Sequence, residues 1–430
     1  MKKYLFLCVA SLALWACTSD SDVPIIHGEE EPPASIPRLD IELSTVEKQL
    51  SGQTNTFAFN LLKTVYADET AHENILLSPL SATLAFSMLN NGAVGTTRDE
   101  IQQTLGFGDI SPDSINKYLQ KIVNAMQELD PRGKFESANS IWIKQDYPVL
   151  NAFKQTNQQY YKAEIQNVDF INPATKKTIN NWVSDKTHGK ITEIVDNIHP
   201  LTRLILINAL YFKGFWMKPF DKSQTVDAKF RTSSGTIQSV PTMRKISTPM
   251  AYTKLTNCAA VELPFGNGAF SLVVVLPDEK TNISTVVAQM NDEWWSKVVT
   301  GLTTPPYNAA KGKYIAYEVT LEIPRFKIEY DRTLNGDLMA LGMKAPFGNA
   351  NFSLINNVEG LWISLVRQKT FAQMDEEGME AAAVTIIEML GASSNEYTSV
   401  DFKVNRPFLY FIKEKSTGLV FFAGVMNKIT

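Results

Sequence analysis

The most informative segment of this chain lies near its carboxyl terminus and reads Glu376-Glu377-Gly378-Met379-Glu380-Ala381-Ala382-Ala383-Val384-Thr385. Glutamate, methionine and alanine are strong helix formers, so composition alone favours a helix. The segment nevertheless contains a glycine and continues into Ile386 and Ile387, whose β-branched side chains favour strands. Such mixed preferences are typical of a segment that changes conformation.

Further motifs along the chain agree with a single protein family. They are Asn74-Ile75-Leu76-Leu77-Ser78-Pro79-Leu80-Ser81, Asn91-Gly92-Ala93-Val94-Gly95-Thr96-Thr97, Asn208-Ala209-Leu210-Tyr211-Phe212-Lys213-Gly214-Phe215-Trp216, Glu262-Leu263-Pro264-Phe265, Ile323-Pro324-Arg325-Phe326 and Arg406-Pro407-Phe408. Together with residues 376–385, which resemble the reactive-loop hinge, they resemble the motifs of the serpin family of serine protease inhibitors. The resemblance covers about residues 40–430.

The resemblance implies an α+β serpin fold with three β-sheets, about eight or nine helices and an exposed reactive-centre loop. In this family the target protease cleaves the loop and forms an acyl-enzyme, and the loop then inserts into the central sheet as a new strand. The resemblance therefore implies an inhibitor of serine-type endopeptidases rather than an enzyme. It also implies a covalent complex with the target protease, a monomer and no cofactor. The alternative is a non-inhibitory serpin that acts as a binding module.

The composition of the hinge, residues 376–385, favours insertion. Because strand periodicity is two, the side chains that would face the interior are those of Met379, Ala381, Ala383 and Thr385. None of them is charged, and burial of an unpaired charge would oppose insertion. Glu380 would face solvent. Met379 stands where the family usually has Thr or Ser, and its larger side chain predicts a slower first step.

The spacing of the family places the scissile bond between Ala392 and Ser393. The loop is a few residues longer than usual, so the bonds Met389-Leu390 and Leu390-Gly391 remain alternatives. Residues 378–402 contain no Lys or Arg. This argues against trypsin-like targets, whose acidic pocket needs a cationic side chain. Elastase-like proteases are the expected targets, with chymotrypsin-like or papain-like proteases as secondary candidates.

Polar residues of the other motifs resemble the family's shutter, which controls opening of the central sheet. They are Ser78, Ser81 and Asn208, and Gln368 stands where the family usually has His. A glutamine side chain both donates and accepts hydrogen bonds, so the network is expected to persist without pH sensitivity. Trp216 matches the tryptophan of the breach, where the loop first enters the sheet. Each of these residues could equally be an ordinary buried group.

The amino terminus predicts export and lipidation. Lys2 and Lys3 precede an apolar run that is too short to span a membrane. Leu14-Trp15-Ala16-Cys17 resembles a bacterial lipoprotein box, which implies a signal peptide over 1–16 and an acylated Cys17. Residues 18–22 resemble the surface-export tag of Bacteroidetes lipoproteins. Residues 17–38 are acidic and rich in Pro, which indicates an extended tether, and a single serpin domain is expected over 39–430. We therefore expect an outer-membrane lipoprotein on the cell surface or in the extracellular space, with the membrane as a partner.

Composition excludes several other classes. The chain has 430 residues, 41 Lys and Arg against 45 Asp and Glu, and a net charge of -4, which argues against a nucleic-acid partner. Three Cys and four His leave no disulfide framework and no histidine-rich metal site. No Gly-x-Ser-x-Gly, phosphate-loop or dinucleotide motif occurs. Cys258, with apolar neighbours, is expected to be a core residue rather than a nucleophile.

Periodicity predicts helices over 54–67, 81–89, 114–129, 148–161, 175–186 and 283–300. Apolar runs predict strands over 204–207, 270–276, 317–323, 361–366 and 419–425.

Overall fold

Polar capping residues determine where several helices begin. The computed structural model describes residues 36–69, 72–304, 307–308, 313–357, 360–379 and 396–430, and nine helices form within these ranges. Ser44 and Glu47 form a capping box at the first helix, and three other helices begin with Pro after a capping Ser or Asn. The helices are α1 (Thr45–Asp68), α2 (Pro79–Asn90), α3 (Thr96–Thr104), α4 (Pro112–Glu128), α5 (Asn151–Tyr161), α6 (Pro173–Lys186), α7 (Ile283–Gln289), α8 (Asp292–Thr303) and α9 (Asn335–Ala340).

The central sheet has six strands and carries the candidate site. Its order is β12 (Phe326–Thr333), β13 (Leu365–Met374), β14 (Gly378–Met379), β4 (Leu204–Phe215), β2 (Lys134–Lys144) and β3 (Glu164–Val168). The two-residue β14 lies between β13 and β4, and these two longer strands also pair directly with each other farther along.

A second six-stranded sheet, the core sheet, is the most deeply buried. Every residue of its β9, β16 and β17 is buried. This was expected for the apolar runs of β9 and β17, whereas β16 also buries the charged residues Lys413 and Glu414. Every residue of α2 is buried as well. The order of the core sheet is β1 (Ile75–Leu77), β17 (Val420–Met426), β16 (Phe408–Glu414), β9 (Phe270–Pro277), β8 (Cys258–Phe265) and β7 (Ala251–Leu255).

A five-stranded sheet, the loop sheet, receives the chain after residues 380–395. Its β15 (Glu396–Lys403) pairs in parallel with β11 over eight register pairs, beginning with Ile315 and Glu396. The other strands, in order, are β10 (Tyr307–Asn308), β11 (Lys313–Pro324), β6 (Ile237–Pro249) and β5 (Val226–Arg231). The described residues belong to one compact unit. Within the described ranges, no helix is both long enough and apolar enough to cross a membrane.

Several predicted elements differ from the structure. Helix α1 begins at Thr45 rather than at 54, and β4 continues to Phe215 rather than ending at 207. The helix predicted over 283–300 is two helices, because Met290 is extended and the Asn291 side chain caps the start of α8. In the strand predicted over 361–366, only Leu365 and Val366 belong to β13, although Leu361 and Ile363 are buried in the core. Helices α3 and α9 were not predicted, and neither were several strands, among them β2, β6, β12, β15 and β16.

Candidate functional site: the hinge and the seam of the central sheet

The beginning of the hinge already lies in the central sheet. Met379 pairs with Met374 of β13 on one side and with Gly214 of β4 on the other. Gly378 pairs with Phe215 of β4. The Met379 side chain is buried in the core, with 3 % of its surface exposed. The first residues of the hinge therefore occupy a strand position between two longer strands.

Only glycine fits at position 378. Its φ of 153° is rarely adopted by residues with a side chain, and a Cβ there would lie 2.1 Å from the carbonyl oxygen of Gly214. The close approach lets β14 pair with β4 at this point.

A buried ion pair holds the start of the hinge. Glu376 is 1 % exposed, and its carboxylate accepts a hydrogen bond of 2.7 Å from Nε of Arg325 and another from the Thr225 hydroxyl. Burial raises the pKa of Glu376, but the hydrogen bonds from Arg325 and Thr225 outweigh burial and hold this pKa below its ordinary value. Glu377 forms a second, more exposed ion pair with Lys222.

Trp216 joins the hinge to the end of β4. Its indole N–H donates to the carbonyl oxygen of Asp375 at 2.8 Å, and its backbone N–H donates to that of Glu377 at 2.9 Å. The ring stacks on Phe265 of the core sheet, with centroids 4.5 Å apart. Trp216 thus lies where residues 375–377 enter the central sheet.

Farther from the hinge, β4 and β13 pair directly along a junction that we call the seam. The paired residues are Leu365 with Ile205 and Val366 with Leu206, in parallel register. Gln368 lies just beyond them and fixes the start of α2. Its side-chain oxygen accepts the Ser78 N–H at 2.8 Å, and its amide nitrogen donates to the Ser78 carbonyl oxygen at 2.9 Å.

The other predicted shutter residues lie around Gln368. The hydroxyl of Ser78 donates to the carbonyl oxygen of Phe421, and that of Ser81 donates to the carbonyl oxygen of Asn208. The Asn208 amide donates to Oδ1 of Asn139 on β2 at 2.6 Å. Its own Oδ1 is buried and has no hydrogen-bond partner among the described residues. The structure thus brings the four predicted residues together, and their role in opening the sheet remains a prediction.

Several contributors to the site had not been predicted, among them Lys222, which pairs with Glu377. Arg325 belongs to a quoted motif, but nothing in the sequence pairs it with a residue 51 positions away. Thr225 and Asn139 lie in no recognised motif, and only the folded arrangement brings them to Glu376 and Asn208. Residues 380–395, with the remaining hinge residues and all candidate scissile bonds, lie outside the described residues, as does Cys17.

Cys258 lacks the properties of a nucleophile. It is fully buried in β8, and burial is the main cause that raises the pKa of its thiol to about 11. In the described part of the chain, no group of three or more His, Cys, Asp or Glu side chains is placed to hold a metal ion.

The fold and the site define a class of α+β protein. In its central sheet, β4 and β13 pair directly at the seam, and farther along they hold the short strand β14 between them. A family model described as "Serpin (serine protease inhibitor)" matches residues 52–429, and the chain belongs to the serpin family. This confirms the predicted family and the predicted fold of three sheets.

Known relatives cover nearly the whole matched region. Serpin B6 of Macaca fascicularis is 32 % identical over 87 % of this chain and 98 % of its own length. Human leukocyte elastase inhibitor is 31 % identical over 88 % of this chain and 98 % of its own. The native-state crystal structure of tengpin, a thermophilic serpin, has a TM-score of 0.77 and 31 % identity, covering 92 % of this chain and 97 % of tengpin. The relatives thus include protease inhibitors.

Proposed function

We propose that this protein inhibits serine proteases by presenting residues 380–395 as a substrate and then inserting the cleaved segment between β4 and β13. One observation carries the proposal. Across β14, Met374 of β13 lies opposite Gly214 of β4, with Met379 between them. The direct pairing at the seam has the same offset, because 374 - 8 = 366, 214 - 8 = 206, and Val366 pairs with Leu206. A longer inserted strand would therefore separate β4 and β13 without sliding one along the other.

The same register predicts the neighbours of each inserted residue. Continuing from Met379, Ala381 would lie between Phe212 and Ala372, which are both buried and line a small cavity next to Met379. Such a position accepts a small apolar side chain and disfavours a charge.

Four residues after Ala381 on the inserted strand, Thr385 would lie between Asn208 and Gln368. Its hydroxyl could then donate to the buried Oδ1 of Asn208, which has no partner among the described residues. Glu380 would lie beside Lys213 on the opposite face, where its charge is not buried. Uncharged residues of the hinge thus fall at positions that face the interior between β4 and β13, and Glu380 falls at a position on the opposite face.

The target class follows from the loop sequence. Residues 378–402 contain no Lys or Arg, and the small residues Ala392 and Ser393 suit elastase-like proteases. A human relative named leukocyte elastase inhibitor, 31 % identical, supports this choice. Chymotrypsin-like and papain-like proteases remain secondary targets, and Met389-Leu390 and Leu390-Gly391 remain alternative cleavage sites.

The test is incubation with elastase, chymotrypsin, papain and trypsin, followed by denaturing electrophoresis and mass spectrometry of the cleaved bond. We expect a covalent complex with at least one of the first three and none with trypsin. If elastase, chymotrypsin or papain cleaves the loop and none of the three forms a complex, the trapping mechanism is refuted. In that case, a cleaved protein no more heat-stable than the intact one would indicate the alternative, a non-inhibitory binding module.

We also propose that the protein is an exported lipoprotein anchored through Cys17, with residues 17–38 as a tether. The charged and apolar residues that precede Cys17 support this proposal. A Cys17→Ala variant should appear in the soluble fraction while the wild-type protein sediments with outer membranes. Equal membrane association of both proteins would refute the anchor.

A further inference from the structure

The segment that links α6 to β4, residues 187–203, is fixed to the β4 side of the seam. Oδ1 of Asn180, on α6, accepts the N–H groups of Ile194 and Val195, each at 2.9 Å, and the Asn180 amide donates to the Val195 carbonyl oxygen at 2.8 Å. Ile194 and Val195 are buried in one apolar cluster with Ile205 of β4. This part of the segment therefore moves with α6 and β4.

The side chain of Asp196, the residue after Val195, reaches across the seam. The Asp196 carboxylate lies 2.9 Å from the guanidinium of Arg367, which belongs to β13. The same guanidinium forms a two-pronged pair with Asp331 of β12, at 2.7 Å and 2.8 Å. The ammonium of Lys190 also lies 5.0 Å from the ring of Phe371 on β13. Residues 187–203 thus bridge the two strands that a new strand would separate.

We infer that the Asp196–Arg367 pair ties the two sides of the seam together and controls how readily the central sheet opens. The inference rests on the proposed function, since insertion is the event that requires opening. A strand placed between β4 and β13 adds about 4.8 Å to their separation. The Asp196–Arg367 pair must then break, because Asp196 remains with β4 through Ile194 and Val195.

The Arg367–Asp331 pair behaves differently during opening. Strands β12 and β13 are hydrogen-bonded neighbours, and Asp331 pairs in register with Lys369 of β13. Because these two strands move as a unit, the Arg367–Asp331 pair is preserved when β13 moves away from β4. Arg367 is therefore a positioning residue with one partner on each side of the seam, and only the partner across it opposes opening.

This difference provides a matched pair of variants. Asp196→Asn and Asp331→Asn each remove one carboxylate from the same guanidinium, but only the first removes a tie across the seam. In hydrogen exchange of the intact protein, we expect Asp196→Asn to speed exchange along 204–207 and 364–367 by about two- to fivefold, the range for a partly exposed ion pair. Asp331→Asn should leave exchange there unchanged or slower, because Arg367 is then free to pair with Asp196 alone.

A second measurement uses insertion itself. A synthetic peptide with the sequence of residues 378–388 should enter the central sheet of Asp196→Asn about two- to fivefold faster than that of the wild type. Asp196→Glu, which keeps the charge, should restore the wild-type rate. Equal effects of Asp196→Asn and Asp331→Asn, or no effect of Asp196→Asn in either experiment, would overturn the inference.

The two proposals can fail separately. Hydrogen exchange needs no protease, so faster exchange in Asp196→Asn together with no covalent complex for any variant would leave the tie standing and refute inhibition. If the wild type forms a covalent complex and both variants show the same exchange, inhibition stands and the tie is refuted. Because the Asp196 side chain is 56 % exposed, the asparagine variant is expected to fold, and thermal unfolding checks this.

Discussion

At the scale of single residues, the hinge is held by one buried carboxylate. Glu376 is almost fully buried, whereas the side chain of its partner Arg325 is 42 % exposed and the ammonium of Lys222 reaches Glu377 at the surface. Burial makes the pair at Glu376 important, because an ionised carboxylate without its cation is costly in a low-dielectric environment. The exposed pair at Glu377 is screened by water and contributes little.

We predict that Arg325→Met lowers the free energy of unfolding by about 1–3 kcal/mol near neutral pH, since the buried Glu376 carboxylate loses its charged donor. Because the folded-state pKa of Glu376 is lowered, its contribution is present above the unfolded pKa of about 4.3 and is lost as pH falls through the folded value. Urea unfolding at several pH values should show the variant and the wild type converging in acid. Lys222→Met, as a control, should leave the free energy of unfolding close to that of the wild type, because water screens its exposed ion pair.

Gly378 provides a test of the hinge position. In Gly378→Ala, the new Cβ would clash with the Gly214 carbonyl oxygen, so β14 should leave the sheet at a cost of about 1–3 kcal/mol. Hydrogen exchange at the Trp216 amide, which donates to Glu377, should become faster. Gly52→Ala in α1 meets no atom within 4 Å and should be neutral or stabilising. Unchanged exchange at Trp216 would contradict the assigned clash.

At the scale of elements, the structure brings together residues that the family resemblance had grouped, but their individual contacts were not predictable from the sequence. The sequence placed Ser78, Ser81, Asn208 and Gln368 in one network, and the structure brings them together. It did not predict that Gln368 would bond to the backbone of Ser78, 290 positions away, because periodicity carries only local information. The break between α7 and α8 was missed because Val and Trp continue the apolar pattern through a capping Asn291.

The glutamine at position 368 predicts a shutter that does not titrate. Gln368→His should make stability depend on pH, because one nitrogen of a neutral imidazole can accept from the Ser78 N–H, whereas the protonated ring has no acceptor. Burial lowers the folded-state pKa of such a histidine below about 6.5, so stability should fall as pH drops below that value. Unfolding of both proteins between pH of about 8 and 5.5 tests this. If the stability of the wild type falls equally steeply over this pH range, the prediction is refuted.

At the scale of the whole molecule, the proposed insertion would couple loop cleavage to global stability. The inward position of Ala381 allows a direct test. Ala381→Glu would bury a carboxylate between Phe212 and Ala372, so the protease should cleave the loop without being trapped. Ala382→Glu would face the opposite side, beside Phe371 and the Lys190 ammonium above its ring, and should still trap.

Thermal unfolding of both cleaved variants provides the second readout for this prediction. Cleaved Ala382→Glu should be more heat-stable than its intact form, as for the wild type, and cleaved Ala381→Glu should not. Equal trapping by the two variants would contradict the predicted register.

Direct pairing of β4 with β13 and pairing across β14 share one register, so the number of residues inserted would determine the length of the new strand. Each residue that enters after Met379 advances the strand by about 3.4 Å, and no slip between β4 and β13 consumes any of that distance. In this register residue 388 would face Leu365, the first residue of β13, so 388 - 379 = 9 residues after Met379 would find partners on both strands, a length of about 31 Å. All candidate cleavage sites follow residue 388, so the bond that is cut would set how many residues separate the end of the inserted strand from the protease.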